Sequence, residues 1–539
     1  MNLLFSICFS LIFCLFVIKD YIKDKNKNDK YKKIKYICYF ILIFSACFIR
    51  SINITKVPAS LNYDEASIGY EAYSLLNYGI DRNGISLPVH FISWGSGQNV
   101  LYAYILIPFI KILGLTAFSI RLPMLIISCF SIIIAYYLFK NLFKKYDLLA
   151  LFIFCIIPWH IMKSRWGLES NIFPDIILLT IYFYNQFYNT KSKKYLYINA
   201  ILLGISIYSY GTSYMFVPIY LILNLVFLLK KKMITKKTLI LNILIPFIIA
   251  LPILLFIIIN YFNLDSIKIF NITIPKLYFN RFEDVTIVKN KNFYQQGISN
   301  FIGNLKLIFN MYDNNKLNSI KGIGVYYSLS IPFLLFGIYS VFKKLKQNPN
   351  YFIILSGIIS GLLICFLVTP SIHRINCIWY FLIITIIIGI TESIKYNKYF
   401  LTIIIFAYSL LFLYFIKTYF TDFNRIIYRH TNESYIESLN YIKNKHITYD
   451  KLIISDEINL PYIYYLLVFE VDPNTYLKTR KVKDMNKEFQ EIEQIGNVYF
   501  KQINKIDPKN VYILSKIKAN KLNIKKENLK CFKYYCVVH

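Results

Sequence analysis

Asp64 and Glu65 follow an apolar run directly and open the stretch Asn62-Tyr-Asp-Glu-Ala-Ser-Ile-Gly-Tyr-Glu. A carboxylate at a membrane surface can take a proton from an acceptor hydroxyl while a lipid-linked donor is attacked, so the pair is a candidate general base. The plainer reading is a capping acid, because carboxylates are favoured in the first turn of a helix. A second cluster lies in Pro158-Trp-His-Ile-Met-Lys-Ser-Arg-Trp-Gly-Leu-Glu169. Lys163 and Arg165 there suit a phosphate, which the guanidinium fork grips in two places. Arg165 and Glu169 are also spaced to pair along a helix. A third cluster is Thr369-Pro-Ser-Ile-His-Arg-Ile-Asn376, in which His373 and Arg374 read as a further phosphate contact or as charges snorkelling at a span end.

Other candidates carry less. His90, in Leu-Pro-Val-His-Phe, could ligate a divalent ion, but it has no partner at ligand spacing. No Cys/His spacing calls for a metal, and no cofactor is demanded. Tyr208, Tyr210 and Tyr214 read as an aromatic belt. Cys531 and Cys536 can form a local disulfide if their compartment oxidises thiols.

The elements that must position these residues are membrane spans. The chain has 539 residues, 56% of them hydrophobic. Runs of about 17–20 apolar residues recur through residue 416, the length that crosses roughly 30 Å of hydrocarbon. They are continuous rather than alternating, which excludes a barrel. The net charge of +32 falls in short lysine clusters between the runs, as expected of cytoplasmic loops and not of a nucleic-acid surface. Placing the clusters at 19–35, 140–145, 191–194, 230–237, 343–346 and 394–398 inside gives twelve spans: 3–18, 36–54, 121–139, 148–162, 175–190, 195–211, 214–229, 238–262, 324–342, 351–369, 375–391 and 398–416. Residues 3–18 read as a span rather than a leader, since no charge precedes them and no small-residue cleavage site follows. The run 99–115, broken by Pro108 and Lys111, reads as an interfacial helix, with a true span as the alternative. Segments 55–120, 160–174, 263–323 and 370–374 then lie outside, as does the tail from 417. That tail reads as a small α/β domain, with a helix at 435–445 and strands at 451–455, 498–500 and 511–514. The domains expected are therefore 1–416 and 417–539.

With these motifs in order, the sequence resembles the polyprenyl-phosphate-sugar-dependent glycosyltransferases of the GT-C fold, which include protein mannosyltransferases and bacterial aminoarabinose–lipid A transferases. The resemblance rests on Asp64-Glu65, on Gly97-Gln-Asn-Val-Leu-Tyr-Ala-Tyr through Phe118-Ser-Ile-Arg-Leu-Pro123, on Pro158 to Glu169, on Gly322-Ile-Gly-Val-Tyr-Tyr through Gly337, and on His373-Arg374. It implies that Asp64 is the base, that Glu169 sits across the site, that Arg374 holds the lipid phosphate, and that the reaction inverts. Some relatives carry Glu-Lys-Pro-Pro-Leu or His-Pro-Pro-Leu after the first loop, where this chain has Gly97-Gln98-Asn99-Val100-Leu101. The missing acid or histidine weighs against a divalent metal.

The expectation is a multi-pass protein of the cytoplasmic membrane, with 11–13 helices and its site on the extracytoplasmic face. It would move a sugar from undecaprenyl phosphate to a glycolipid, cell-wall polymer or protein, with Asp64 and Glu65 as the catalytic acids and no nucleic-acid partner. A polysaccharide polymerase or ligase is the rival enzyme. A lipid or polysaccharide transporter is the rival outside enzymes, but transporters gather ionisable residues near the bilayer midplane.

Overall fold

A computed structural model describes residues 2–24, 29–280, 286–287 and 292–539. Parts of the loops expected at 19–35 and 263–323, namely 25–28, 281–285 and 288–291, lie outside the described residues.

Each of the twelve expected spans falls on helix, the form that satisfies its own backbone in lipid. Among the described residues, eight helical stretches are long and apolar enough to cross a membrane. One of them, Ala117–Ile156, holds two of the expected spans on either side of a tight turn at Lys144–Tyr146. Three expected spans fall short of that standard. Lys194–Ser206 and Ser330–Lys344 have 13 and 15 residues. Glu169–Thr190 is long enough but carries Asp175 and several amides. The expected span 148–162 is broken. Helix Asp147–Ile156 stops at Ile157, whose extended backbone is what a following proline requires, and Pro158–Lys163 starts anew.

The chain divides into two compact units. The helical unit comprises Met1–Ile54, Met124–Leu251 and Phe282–Phe420. Two of its helices, Ser330–Lys344 and Asn376–Tyr396, cross backbone to backbone. A Cβ at Gly337 would lie 2.0 Å from the Thr385 carbonyl oxygen, and one at Gly389 would lie 1.9 Å from that of Phe333. Small residues at such crossings give membrane helices their close packing.

The loop-and-tail unit comprises Thr55–Pro123, Pro252–Arg281 and Thr421–His539. Its centre is a seven-stranded sheet. In spatial order the strands are Arg480–Val482, Ile492–Ile495, Val498–Phe500, Leu452–Ile454, Val511–Ser515, Tyr535–Val538 and Leu529–Cys531. The three apolar strands legible in the sequence form its parallel middle. The four outer strands are antiparallel additions. Alternation sends Leu452 and Ile454 to one core and Ile453 to another. The first of these cores also contains Leu61, Ala66, Tyr70, Trp94 and Ile120, so the first long loop and the tail share one hydrophobic centre. Cys531 and Cys536 face each other across the last hairpin and are joined by a disulfide. The run 99–115 is a helix at Leu101–Leu113, with Pro108 inside it.

Candidate active site

Asn62 decides what the acidic pair does. It caps the helix Tyr63–Tyr78, accepting from the Glu65 N–H at 2.8 Å, while the Glu65 carboxylate accepts from the Asn62 N–H at 3.2 Å. This reciprocal box turns Glu65 inward. There Arg121 meets it with two bonds, Nε to Oε1 at 2.9 Å and Nη2 to Oε2 at 3.0 Å. Arg121 also donates to the Pro58 carbonyl at 2.8 Å and to that of Ser60. Both side chains are fully buried. Glu65 is therefore a holding residue: its charge and its hydrogen-bonding capacity are spent on the segment before the helix. Asp64, one position on, stays partly exposed in the positive first turn.

A second buried pair braces the same helix. Arg82 Nε lies 3.1 Å from Glu71 Oε1, and the Arg82 N–H donates to Glu71 Oε2 at 2.9 Å. The guanidinium also donates to Ser67 and Ser93 at 3.0 and 2.9 Å and stacks on Trp94. Both serine hydroxyls donate to Gln98 Oε1 at 3.1 Å. Gln98 is thus a neutral amide that receives two hydroxyls. Asp81 accepts from the N–H groups of Asn83 and Ile85, and burial pushes its carboxyl up to about 8. The His90 ring is buried against Phe256, Nδ1 bonds the Phe91 carbonyl at 3.0 Å, and burial lowers its pKa to about 4. Among the described residues no cluster of three His, Cys, Asp or Glu could hold an ion.

The remaining sequence candidates lie in the helical unit. Lys163 is buried against Asp175 at 2.6 Å, and Asp175 also accepts from Ser131 and Tyr380, each at 2.7 Å. Arg165 is fully buried and donates to the carbonyls of Ile49, Arg50 and Ile52 at 2.6–2.7 Å. These are orphan acceptors at the end of helix Lys30–Ser51, where a cation is favoured. Lys163 and Arg165, expected at a phosphate, are both held by these internal partners. Sequence could not show that a carboxylate and a helix end would be their neighbours.

His373 and Arg374 are different, since both are partly exposed. Their turn is held by Asp313, which accepts from the Ile372 N–H at 2.9 Å, the Ser371 hydroxyl at 3.1 Å and Asn318 Nδ2 at 2.6 Å. Asn318 Nδ2 and Ser371 Oγ lie 3.2 and 2.8 Å from His373 Nδ1. Tyr210, read as part of a belt, packs edge-on against this ring. Arg374 donates to Thr369 Oγ1. Asn376 Nδ2 donates to the Ser170 carbonyl at 2.6 Å, which ties this turn to the helix start that bears Glu169. The helical unit thus gathers Glu169, His373 and Arg374, while Asp64 belongs to the other unit. Reading by residue type missed Arg121, Arg82, Asp175 and Asp313. Arg121 alone had a signal, in the motif Phe118–Pro123.

Residues 98–256 match the family model of dolichyl-phosphate-mannose-protein mannosyltransferases. A comparison with curated proteins gives no match. Among solved structures, ArnT from Cupriavidus metallidurans in the apo state superposes with a TM-score of 0.53 at 8% identity, over 94% of this chain and 97% of that one. The same protein bound to undecaprenyl phosphate gives 0.48 at 9% identity, with the same shares of each chain. The oligosaccharyltransferase AglB from Archaeoglobus fulgidus, in complex with an inhibitory peptide and a dolichol-phosphate, gives 0.47 at 12% identity over 83% of this chain. The match spans only 64% of that enzyme's length. An end-to-end likeness at such low identity speaks for fold. The chain is a multi-pass membrane protein with the GT-C fold of the polyprenyl-phosphate-dependent glycosyltransferases.

Proposed function

We propose that this protein transfers one sugar from a polyprenyl phosphate to an acceptor outside the cytoplasmic membrane, with inversion and with Asp64 as general base. The observation that carries the reading is the division of labour within the acidic pair. Glu65 is buried against Asn62 and Arg121, whereas Asp64 stands in the first turn of the helix and is partly exposed. A base must be both fixed and reachable to take a hydroxyl proton as the sugar–phosphate bond breaks. The partly exposed Arg374 and His373 are the groups that meet the lipid phosphate that leaves, and Glu169 lies on the helix start tied to the same turn. The family match supports a lipid-phosphate sugar donor. Undecaprenyl phosphate is the bacterial form this reading takes. The acceptor is a glycolipid, cell-wall polymer or protein.

The test is Asp64→Asn, assayed for transfer from polyprenyl-phosphate sugars in reconstituted membranes. Removing a general base costs on the order of 10²–10⁴ in rate. The variant should lose that much while still binding donor. Retention of more than about a tenth of wild-type transfer removes Asp64 from the mechanism.

A further inference from the structure

Just beyond the helix Lys236–Tyr261 the chain forms a short hairpin, Ile267–Ile269 paired with Ile272–Ile274. Its register pairs Ile267 with Ile274, Ile269 with Ile272, and Lys268 with Thr273. All four isoleucines therefore share one face, and the lysine and threonine share the other. Near the hairpin's base the apolar face is covered, since Ile274 is 2% exposed. Elsewhere it is not. Ile267, Ile269 and Ile272 are 41%, 47% and 46% exposed, and Phe270 at the turn is 93% exposed. A two-stranded ribbon is marginal in water even when its side chains are polar. One that presents this face to solvent needs a cover.

The chain itself says what that cover is. Asn260 sits in the last turn of the span and reaches the segment just after the hairpin's return strand. Its Oδ1 accepts from the Leu277 N–H at 2.7 Å, and its Nδ2 donates to the Pro275 carbonyl at 3.1 Å. Lys276 Nζ donates to the Asn263 carbonyl at 3.1 Å. The hairpin cannot drift from the end of the span, so its height is the height of the membrane surface. The residues between continue the same chemistry, with Tyr261, Phe262 and Leu264 all exposed. Aromatic residues at a span end mark the headgroup level. The other edge of the hairpin is engaged by the first loop, where Val89 N–H donates to the Thr273 carbonyl at 3.0 Å.

We infer that this hairpin is a membrane-surface finger: Phe270, Ile269 and Ile272 enter the acyl boundary of the adjacent leaflet, and Lys268 stays among the headgroups. The occupant of the exposed face is bilayer lipid, held as an interfacial amphipathic element is held. The inference rests on the span Lys236–Tyr261 and not on the proposed transfer reaction.

The experiment places a benzophenone amino acid at position 270 in the full-length protein, reconstituted in phosphatidylcholine–phosphatidylglycerol nanodiscs, and at position 268 as the opposite-face control. After irradiation, mass spectrometry should find phospholipid adducts several-fold more abundant at 270 than at 268. Equal lipid adducts at both positions, adducts to a second copy of the chain, or none to lipid at 270 would each overturn the inference. If the probe perturbs folding, Phe270→Trp with bromine-labelled phosphatidylcholines supplies the same answer. Its added fluorescence should be quenched most by bromines near the glycerol end, and a gain that bromines leave unquenched refutes the finger.

Discussion

The two units bury arginine in different ways. In the loop-and-tail unit, Arg82 and Arg121 each face a buried glutamate with matched geometry. In the helical unit, Arg165 is surrounded by three main-chain carbonyls, and Arg50 by the carbonyls of Ala46 and Cys155 together with His160 Nδ1. Helix ends supply ready-made acceptors among spans, where they would otherwise be orphans in hydrocarbon. An irregular loop has no such ends to offer and must bring its own carboxylates. The consequence is functional. A carboxylate–guanidinium pair fixes the orientation of what carries it, and in the first loop what it carries is the segment ending in Asp64.

The sharpest way to break this contrast is Arg121→Met. It leaves the Glu65 carboxylate buried without a counter-charge, which costs about 3–5 kcal/mol. Denaturation of the purified protein should show that loss, and Glu65→Leu combined with Arg121→Met should recover most of it. A single variant as stable as wild type would mean that the pair does not hold the loop. Arg374→Ala tests the partly exposed kind of cation. Loss of a charge-assisted bond worth roughly 1.5–3 kcal/mol should weaken donor use about ten- to a hundredfold, with Arg374→Lys restoring only part. Unchanged donor dependence would leave Arg374 as a membrane-end anchor. Arg165→Met strips the end of Lys30–Ser51 of its donors and should lower stability by about 1–3 kcal/mol, without the carboxylate penalty of the first variant. A loss as large as that of Arg121→Met would erase the distinction between the units.

The last variant concerns pH. Burial pushes the folded Asp81 carboxyl up to about 8, far above an unfolded aspartate at about 3.9, so the folded state holds a proton that the unfolded state releases. Its contribution to stability is complete below pH 4 and declines as pH rises towards 8. Asp81→Asn imitates the protonated form. It should raise the unfolding midpoint by a few degrees at pH 8 and leave it nearly unchanged at pH 4. A midpoint shift that is the same at both values would mean that Asp81 is ionised in the fold.

What could be read from residue order was whatever depends on local pattern. Apolar runs of span length became helices because hydrocarbon allows little else. Three β-branched runs in the tail became the parallel strands at the sheet's centre, where both faces are buried and the pattern is strongest. Arg480–Val482, Ile492–Ile495 and Leu529–Cys531 were hidden because they are short and carry lysine or glutamate, as strands toward an edge do. Asp64 and Glu65 were visible as a pair, and the cap at Asn62 lies one residue before them.

What tertiary structure alone decided was the partner of each charge. Lys163 and Arg165 have the composition of a phosphate site, yet Asp175 and the end of a distant helix claim them. Asp175, easily passed over as the first residue of a span, proves to be a buried ion-pair partner. Glu65 and Asp64 are adjacent carboxylates with the same intrinsic chemistry. Only a guanidinium brought from 56 residues away makes one a fixture and leaves the other accessible. A charge's role is set by the dielectric and the donors around it. Those arrive through the fold, from parts of the chain that no local window contains.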